Sequence, residues 1–212
     1  IMPYVGRGGY KLEKALQCFN IDLHGAVMAD IGASTGGFTD CALQNGAARV
    51  YAIDVGYNQL DWKLRNHPQV INMEKTNMKN VTPEDLGEPA DFISVDVSFI
   101  SLLKILPAAR AILKPEGSMV TLIKPQFEAG REKVGKGGII RDAADHKEIL
   151  ASVLDGITKL GFSICGLTYS PIKGPAGNIE FLAWLKKDDA AEPPERRKIE
   201  QAVTEAHQNL GG

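Results

Sequence analysis

Short apolar runs alternate along the chain with segments of helical periodicity. Five runs rich in β-branched residues have the length of buried parallel strands, at residues 27–31, 50–53, 70–73, 92–95 and 119–123. Between them, apolar positions recur at helical spacing in residues 37–45, 59–66 and 102–113. This alternation predicts an α/β fold, with a mostly parallel sheet that carries helices on both faces.

The two ends of the chain depart from this alternation. Residues 8–16 predict an amphipathic helix before the first strand, and residues 143–160 predict a long helix after the fifth. Two further strands, at residues 163–169 and 180–185, are joined by a Pro/Gly loop without a helix. Such strands pair antiparallel or lie apart, because a parallel crossover needs about a dozen residues. We therefore expect seven strands with an antiparallel last strand in a domain of residues 1–187. Residues 188–212 are expected to form a charged linker and a solvated polar helix at 195–209.

A glycine-rich segment follows the first strand directly. Residues 29–40 read Ala-Asp-Ile-Gly-Ala-Ser-Thr-Gly-Gly-Phe-Thr-Asp, and their glycines allow a tight turn and a close approach to a ligand at a helix N-terminus. Asp54, at the end of the second strand, is the acid expected to hold ribose hydroxyls. A dinucleotide site would have glycine in place of Ser34, and Asp30 suits a cationic amino-acid moiety better than a pyrophosphate. The segment favours S-adenosylmethionine over a nicotinamide cofactor, with a βα turn that binds nothing as the alternative.

Four ionisable residues occupy positions that a structural role explains poorly: Lys11, Asp96, Lys124 and Glu180. Asp96 and Lys124 end the fourth and fifth strands, at the edge where open α/β sheets bind ligands, and Glu180 begins the last strand at that edge. A lysine serves as a base when burial or a second cation lowers its pKa. Lys124 is the candidate base, Lys11 the neighbouring cation, and the two carboxylates orient them. Singly, Lys11 and Glu180 are also explained as exposed charges, so the hypothesis requires all four to converge.

Composition narrows the classes of protein. Of 212 residues, 44% are hydrophobic and 24% charged, and the net charge is −2, so any nucleic-acid contact must come from a local basic patch. Cys18, Cys41 and Cys165 lack paired spacing, so we expect neither a disulfide nor a metal site. No apolar run has the roughly 18 residues of a membrane span, and residues 1–4 lack a signal-peptide h-region. We expect a cytoplasmic protein.

Several of these segments together resemble the FtsJ-type ribose 2′-O-methyltransferases, and more narrowly the TlyA or hemolysin A family. The resemblance runs from about residue 4 to residue 186. Its motifs are residues 7–13 (Arg-Gly-Gly-Tyr-Lys-Leu-Glu), 30–40, 54–60 (Asp-Val-Gly-Tyr-Asn-Gln-Leu) and 122–128 (Leu-Ile-Lys-Pro-Gln-Phe-Glu). It implies a Rossmann-like class I methyltransferase that uses S-adenosylmethionine to methylate cytidine riboses of ribosomal RNA in the bacterial cytosol.

The resemblance also assigns residues. It places Lys11, Asp96, Lys124 and Glu180 in the family's catalytic Lys-Asp-Lys-Glu tetrad. It implies a cofactor site made of Asp30, Gly32, Ala33, Ser34, Gly36, Gly37, Phe38, Asp54, Val55, Asp96 and, at the adenine end, Asn77. Family members usually carry an N-terminal RNA-binding domain, which we expect to be absent from this chain because it starts just before the Arg-Gly-Gly-Tyr-Lys motif.

RNA contacts are expected from a basic, glycine-rich loop after the fifth strand, with the alternative that this loop is merely solvated. Flexible basic loops bind phosphates without reading sequence; the candidates are Arg131, Lys133, Lys136 and Arg141, together with Arg7 and, more weakly, Lys63 and Arg65. Tyr57 and Phe127 are candidate base-stacking residues, although buried aromatic side chains are commoner.

Alternative functions stay open from the sequence. They are methyl transfer to another RNA or a small molecule, RNA binding without catalysis, an NAD-linked oxidoreductase, and last a membrane-lytic protein. The target nucleotide, the ribosomal subunit and the oligomeric state are not determined by the sequence.

Overall fold

The computed structural model describes residues 1–211 and contains one seven-stranded sheet; Gly212, the last residue of the predicted C-terminal segment, lies outside the described residues. The strands are β1 (Val27–Ile31), β2 (Arg49–Ile53), β3 (Val70–Met73), β4 (Ala90–Val95), β5 (Leu113–Ile123), β6 (Phe162–Tyr169) and β7 (Phe181–Lys187). Their order is β3-β2-β1-β4-β5-β7-β6, and β7 is antiparallel to both of its neighbours. The predicted sheet, with its antiparallel last strand, is confirmed.

Helices cover both faces of this sheet. They are α1 (Gly8–Cys18), α2 (Gly37–Gln44), α3 (Trp62–Arg65), α4 (Pro83–Leu86), α5 (Leu106–Ile112), α6 (Pro125–Glu128), α7 (Ala143–Lys159) and α8 (Arg196–Leu210). Buried side chains alternate between the faces of each strand, because successive residues of a strand point to opposite sides. Met28 and Phe92 pack with α1 and α2, whereas Ala29 and Ile93 belong to the larger cluster formed with α5, α7 and α8.

Two predicted helices are shorter than their periodicity indicates. The helix expected at residues 59–66 is only the single turn of α3, because Asn58 has a left-handed backbone (φ +58°) and the Asp61 side chain caps the helix by accepting from the Lys63 N–H. The helix expected at residues 102–113 divides into a 3-10 turn, Leu102–Lys104, and α5. Pro107 requires the division, because its ring would clash with the preceding turn of a continuous helix and it is accepted in a first turn.

The expectation that the C-terminal helix is solvated is wrong. One face of α8 is buried against α7 and β6, and this face consists of Ile199, Ala202, Val203 and Ala206. The spacing i, i+3, i+4, i+7 is that of an amphipathic helix, and the polar composition of the other face obscured it.

The strand order creates the place for a ligand. From β1 the chain continues to one side through β2 and β3, and later to the other side through β4 and β5. At such a switch point the connections leave in opposite directions, so a crevice opens beyond the carboxyl ends of the two strands. The glycine-rich turn and Asp96 follow β1 and β4, and the Asp96 N–H donates to Ile31 O at 2.9 Å.

Candidate active site

The glycine-rich turn is held against its neighbours by backbone geometry. The N–H groups of Gly32 and Ala33 both donate to Ile53 O, at 2.8 and 3.0 Å. Gly32 has φ +82°, and a Cβ at this position would lie 2.0 Å from Asp96 O. Only glycine fits, since a side chain would have both a strained backbone and a steric clash.

Asp54 ties the turn to the loop after β2. Its Oδ2 accepts from the Ser34 N–H at 2.6 Å, and its Oδ1 accepts from the Gly56 N–H at 2.8 Å. Each oxygen retains a further lone pair, since an ionised carboxylate accepts about four hydrogen bonds. The carboxylate is therefore fixed in orientation and still able to accept from ligand hydroxyls.

A cavity of about 830 Å³ opens at this edge. Most of the residues expected at a site line it: Arg7, Lys11, Gly32, Ala33, Ser34, Gly37, Phe38, Asp54, Val55, Asn77, Asp96, Lys124 and Glu180. Its size is that of a pocket for a drug-sized ligand with room to spare.

Two residues of the expected cofactor set lie outside this lining. The Asp30 carboxyl is fully buried beneath the turn, where it accepts from Thr39 Oγ1 at 2.7 Å and Ser94 Oγ at 3.3 Å. Burial raises the pKa of Asp30 to about 7. Gly36 faces Leu64 rather than the cavity, because its missing Cβ would lie 2.2 Å from a Leu64 methyl carbon. Asp30 therefore supports the turn from below and does not face a ligand.

The structure brings Lys11, Asp96, Lys124 and Glu180 to the same cavity as two ion pairs. Lys11 Nζ lies 2.6 Å from Glu180 Oε1, and both side chains are buried. Lys124 Nζ pairs with Asp96 and also donates to Ser98 Oγ at 3.0 Å. Buried ion pairs contribute little net stability, because desolvation offsets their attraction. Two such pairs in one cleft favour a chemical role over a structural one.

The basic loop after α6 does not line the cavity. Lys133 is engaged, with Nζ 2.6 Å from Glu148 Oε2 and 3.3 Å from Asp145 Oδ1. These carboxylates raise the pKa of Lys133, led by the Glu148 hydrogen bond. Three of the four candidates, Arg131, Lys136 and Arg141, are exposed. Lys133 fastens the loop to α7, whereas the other three face solvent.

Sequence reasoning missed the lining residues that follow Asp96 in the loop after β4, which are Val97, Ser98, Phe99 and Ile100. Ser98 bonds Lys124, and Phe99 is 89% exposed although it is aromatic. Phe99 has φ +64°, uncommon for a residue with a side chain, and its ring centroid lies 4.8 Å from that of Phe127. The motif signal pointed to Tyr57 and Phe127 instead; Tyr57 is 66% exposed and lies outside the cavity lining. A single exposed phenylalanine in a loop belongs to no periodic pattern, so no sequence signal identifies Phe99.

Among residues 1–211, none of the helices is long and apolar enough to cross a membrane. Within the same residues, no group of three or more His, Cys, Asp and Glu side chains is arranged to hold a metal ion. All three cysteines are free, and only Cys41 is buried.

The sheet order, the glycine-rich turn and the paired lysines at the carboxyl edge define a Rossmann-like methyltransferase. The sequence profile of the FtsJ-like methyltransferase family matches residues 4–187, and the chain belongs to this family. Hemolysin A of Brachyspira hyodysenteriae is 50% identical over 86% of this chain and 76% of its own length. The 16S/23S rRNA (cytidine-2′-O)-methyltransferase TlyA of Mycobacterium tuberculosis is 44% identical over 86% of this chain and 68% of its own. A crystal structure of a Lactococcus lactis protein superposes with a TM-score of 0.92 at 52% identity, covering 97% of this chain and 99% of that one.

Proposed function

We propose that this chain transfers the methyl group of S-adenosylmethionine to the ribose 2′-hydroxyl of a cytidine in ribosomal RNA. The observation that carries the proposal is the two lysine–carboxylate contacts beside the glycine-rich turn, Lys11–Glu180, which is buried, and Lys124–Asp96, whose carboxylate opens on the cavity. The relatives named as rRNA cytidine-2′-O-methyltransferases support the choice of acceptor. With ribosomal RNA as the substrate, the cytoplasm is the proposed location of the reaction.

The donor set of the cavity fits S-adenosylmethionine. Asp54, with lone pairs free beyond its two backbone contacts, is suited to ribose hydroxyls, and Val55 and Asn77 line the wall next to it for the adenine. Phe38 and the turn would hold the amino-acid end. When bound, the cofactor supplies a methyl group activated by its sulfonium charge. The volume of about 830 Å³ leaves room beside it for an acceptor nucleoside.

The lysine pairs explain how a poor nucleophile is activated. A ribose hydroxyl must lose its proton as its oxygen attacks the methyl carbon, and Lys124 Nζ at the cavity is assigned as the acceptor of that proton. Asp96 and Ser98 fix the position of this nitrogen from one side. Lys11, held by Glu180, donates to the ribose oxygens and orients the hydroxyl. Alignment of the hydroxyl is a large part of the catalysis, because a positioned reactant avoids the entropy cost of encounter.

RNA is expected to bind at the exposed side of the cavity. Phe99 offers an exposed aromatic face at its rim for stacking a base, a contact worth about 1–3 kcal/mol. Arg7 lines the cavity. The loop that follows α6 carries three exposed basic side chains, Arg131, Lys136 and Arg141. These four residues are the candidates for phosphate contacts. Lys133 is assigned a lesser part, because two carboxylates already neutralise it.

The test is a methyl-transfer assay with a product identified by mass. Ribosomal subunits that lack ribose methylation are incubated with the chain and methyl-labelled S-adenosylmethionine, and the RNA is digested to nucleosides. We expect labelled 2′-O-methylcytidine. Label on a base, or no label on RNA despite saturable cofactor binding by calorimetry, would overturn the acceptor. Binding of NAD in place of S-adenosylmethionine would overturn the cofactor.

Lys114→Ala provides a matched control for Lys124→Ala. Lys114 lies at the other end of β5, where it pairs with Asp91 at 2.6 Å, far from the cavity lining. Lys124→Ala is expected to lower the rate at least about 100-fold, the lower range for loss of a general base, with cofactor affinity retained. Lys114→Ala should keep the rate. Equal rates for the two variants would remove Lys124 as the base.

A further inference from the structure

Two segments at the acceptor side of the cavity are joined along their length. One is the β4 loop, residues 96–102, and the other is the α6 segment, residues 124–128. At one end Lys124 bonds Asp96 and Ser98, and in the middle the rings of Phe127 and Phe99 are 4.8 Å apart. At the other end Glu128 binds the loop. The contacts advance together along both segments, so Ser98, Phe99 and Ser101 meet successive partners in the α6 segment.

Glu128 makes the last of these contacts with both carboxylate oxygens. Its Oε2 accepts from Ser101 Oγ at 2.7 Å, and its Oε1 accepts from the Leu102 N–H at 2.8 Å. The Leu102 N–H is the first donor of the 3-10 turn Leu102–Lys104, so Glu128 caps this turn from another segment. This contact fixes Leu102, where the β4 loop ends and the 3-10 turn begins.

Stability alone explains this carboxylate poorly. Among the described residues, Glu128 has no Lys or Arg partner within salt-bridge distance. Burial raises the pKa of Glu128, opposed by the hydrogen bonds from Ser101 and Leu102. A half-buried carboxylate without a counter-cation has an unfavourable desolvation free energy that two hydrogen bonds offset only in part.

The strained residue of the β4 loop lies between the two attachment points. Phe99 keeps a left-handed backbone and an exposed ring, an arrangement that costs of order 1–2 kcal/mol and persists only where the surroundings fix it. Lys124 with Asp96 fixes one side, and Glu128 fixes the other. Without Glu128, the loop is free to relax toward an unstrained backbone. Phe99 would then leave the rim of the cavity, and Ser98 would leave Lys124.

We propose that Glu128 is a positioning residue that holds the β4 loop, with Phe99 and Ser98, in the geometry needed for the acceptor nucleoside. The proposal rests on the proposed function and assigns a residue of its acceptor side. The Glu128 carboxylate bonds Ser101 and Leu102 and makes no hydrogen bond with the Lys124 side chain, and Glu128 does not line the cavity, so this side chain acts through the loop. The proposal predicts a defect confined to the acceptor. Asp96, the member of the expected cofactor set in this loop, is held by Lys124 rather than by Glu128, and the other members lie on or after β1, β2 and β3.

The test combines hydrogen exchange with kinetics on Glu128→Ala, and Glu88→Ala is its matched control. Glu88 likewise accepts hydrogen bonds with both carboxylate oxygens, three bonds from Arg49 and Tyr51 against two for Glu128, but it precedes β4 at the opposite edge of the sheet. For Glu128→Ala we expect amides of residues 97–104 to exchange at least tenfold faster, kcat for RNA methylation to fall at least tenfold, and the Kd for S-adenosylmethionine to change less than twofold. Glu88→Ala should change none of these three.

Two more variants keep the proposal testable if Glu128→Ala folds poorly. Glu128→Gln retains one acceptor for the Leu102 N–H and donates to Ser101 Oγ, so it should keep kcat within about threefold of the parent. Ser101→Ala removes one of the two contacts and should shift exchange and kcat in the direction of Glu128→Ala by a smaller factor.

The two readouts separate this inference from the proposed function. Unchanged exchange in residues 97–104 of Glu128→Ala would overturn the positioning role even if methylation fell. Faster exchange with an unchanged kcat would show that the loop is held by Glu128 but does not serve the acceptor, and would equally overturn the proposal. If the parent chain methylates no RNA, the proposed function fails, and the exchange data still decide whether Glu128 holds the loop.

Discussion

Replacing Asp30 by asparagine is expected to stabilise the fold increasingly as the pH rises. The Asp30 carboxyl is fully buried between the hydroxyls of Thr39 and Ser94. Burial raises the pKa of Asp30 from 3.8 to about 7, against the opposing hydrogen bond from Thr39 and with the negative charge of Asp96 adding to the rise. An asparagine amide has the shape of the protonated acid and contacts the same two hydroxyls without titrating.

The sign and size of the effect follow from proton binding. Between pH 3.8 and 7 the folded state holds a proton on Asp30 that the unfolded state has released, so raising the pH favours unfolding. One pKa unit corresponds to about 1.4 kcal/mol, and a shift of about three units therefore costs about 4 kcal/mol above pH 7. About 3 kcal/mol of this falls between pH 5 and pH 8, and the difference levels off above that range because both states are then ionised.

Urea unfolding of the parent chain and Asp30→Asn, followed by circular dichroism at pH 5, 6, 7 and 8, measures this difference. Groups distant from Asp30 titrate alike in the two proteins, so the change in the difference reports Asp30 together with its charged neighbours Asp96 and Asp54. Glu88→Gln is the control: the Arg49 hydrogen bond lowers the pKa of Glu88, so its difference from the parent should be flat above pH 5. A flat difference for Asp30→Asn as well would refute the reasoning, because Asp30 would then be ionised throughout.

Three further substitutions test the site and its frame. Asp54→Ala should weaken S-adenosylmethionine binding at least about tenfold (about 1.4 kcal/mol) in calorimetry, since the acceptor for ribose hydroxyls is lost; an unaltered Kd would contradict that contact. Gly32→Ala should lower the free energy of unfolding by about 2 kcal/mol or more, because a Cβ there meets Asp96 O at 2.0 Å with φ at +82°, and a thermal shift of less than a degree would speak against it. Burial lowers the pKa of His146 to about 4, with the charge of His207 adding to this. The folded state thus resists protonation of His146, stability falls as the pH drops from 6.5 toward 4, and His146→Phe should abolish about 2 kcal/mol of the loss seen in urea titrations between pH 7 and 4.5.

Much of the fold was predictable because its signals are local. The five β-branched runs correspond to β1 to β5, and alternation with helices fixes a parallel sheet. The errors are also local in origin. Periodicity at residues 59–66 took no account of the left-handed backbone at Asn58, and the run at 102–113 hid the break that Pro107 imposes. The buried face of α8 was missed because it has only four apolar side chains, two of them alanines, within a polar segment.

The site was predictable only as far as strand ends determine it. Asp96 and Lys124 follow adjacent parallel strands, so their meeting follows from topology. Lys11 and Glu180 are 169 positions apart, and their contact depends on how α1 packs across the sheet, which no local pattern encodes. The orientation of the Asp30 side chain was not predictable from the sequence, because an acid just before a glycine-rich turn is able to point toward a ligand or into the core. In the structure it points inward, where it accepts a hydrogen bond from Thr39.

The two ends of the β4–β5 pair show why position in the fold separates a structural ion pair from a candidate catalytic one. Lys114–Asp91 and Lys124–Asp96 involve the same residue types on the same two strands. At the amino end, the side chains of the first pair are about one-third exposed, and the Asp91 hydrogen bond raises the pKa of Lys114 as expected for a solvated surface pair. At the carboxyl end, the lysine is nine-tenths buried and its partner opens on the cavity. The carboxyl edge also has the cavity, the buried Lys11–Glu180 pair and a loop held by Glu128. A lysine–carboxylate pair is therefore accessible to a ligand at the carboxyl edge, whereas at the amino edge it faces only solvent.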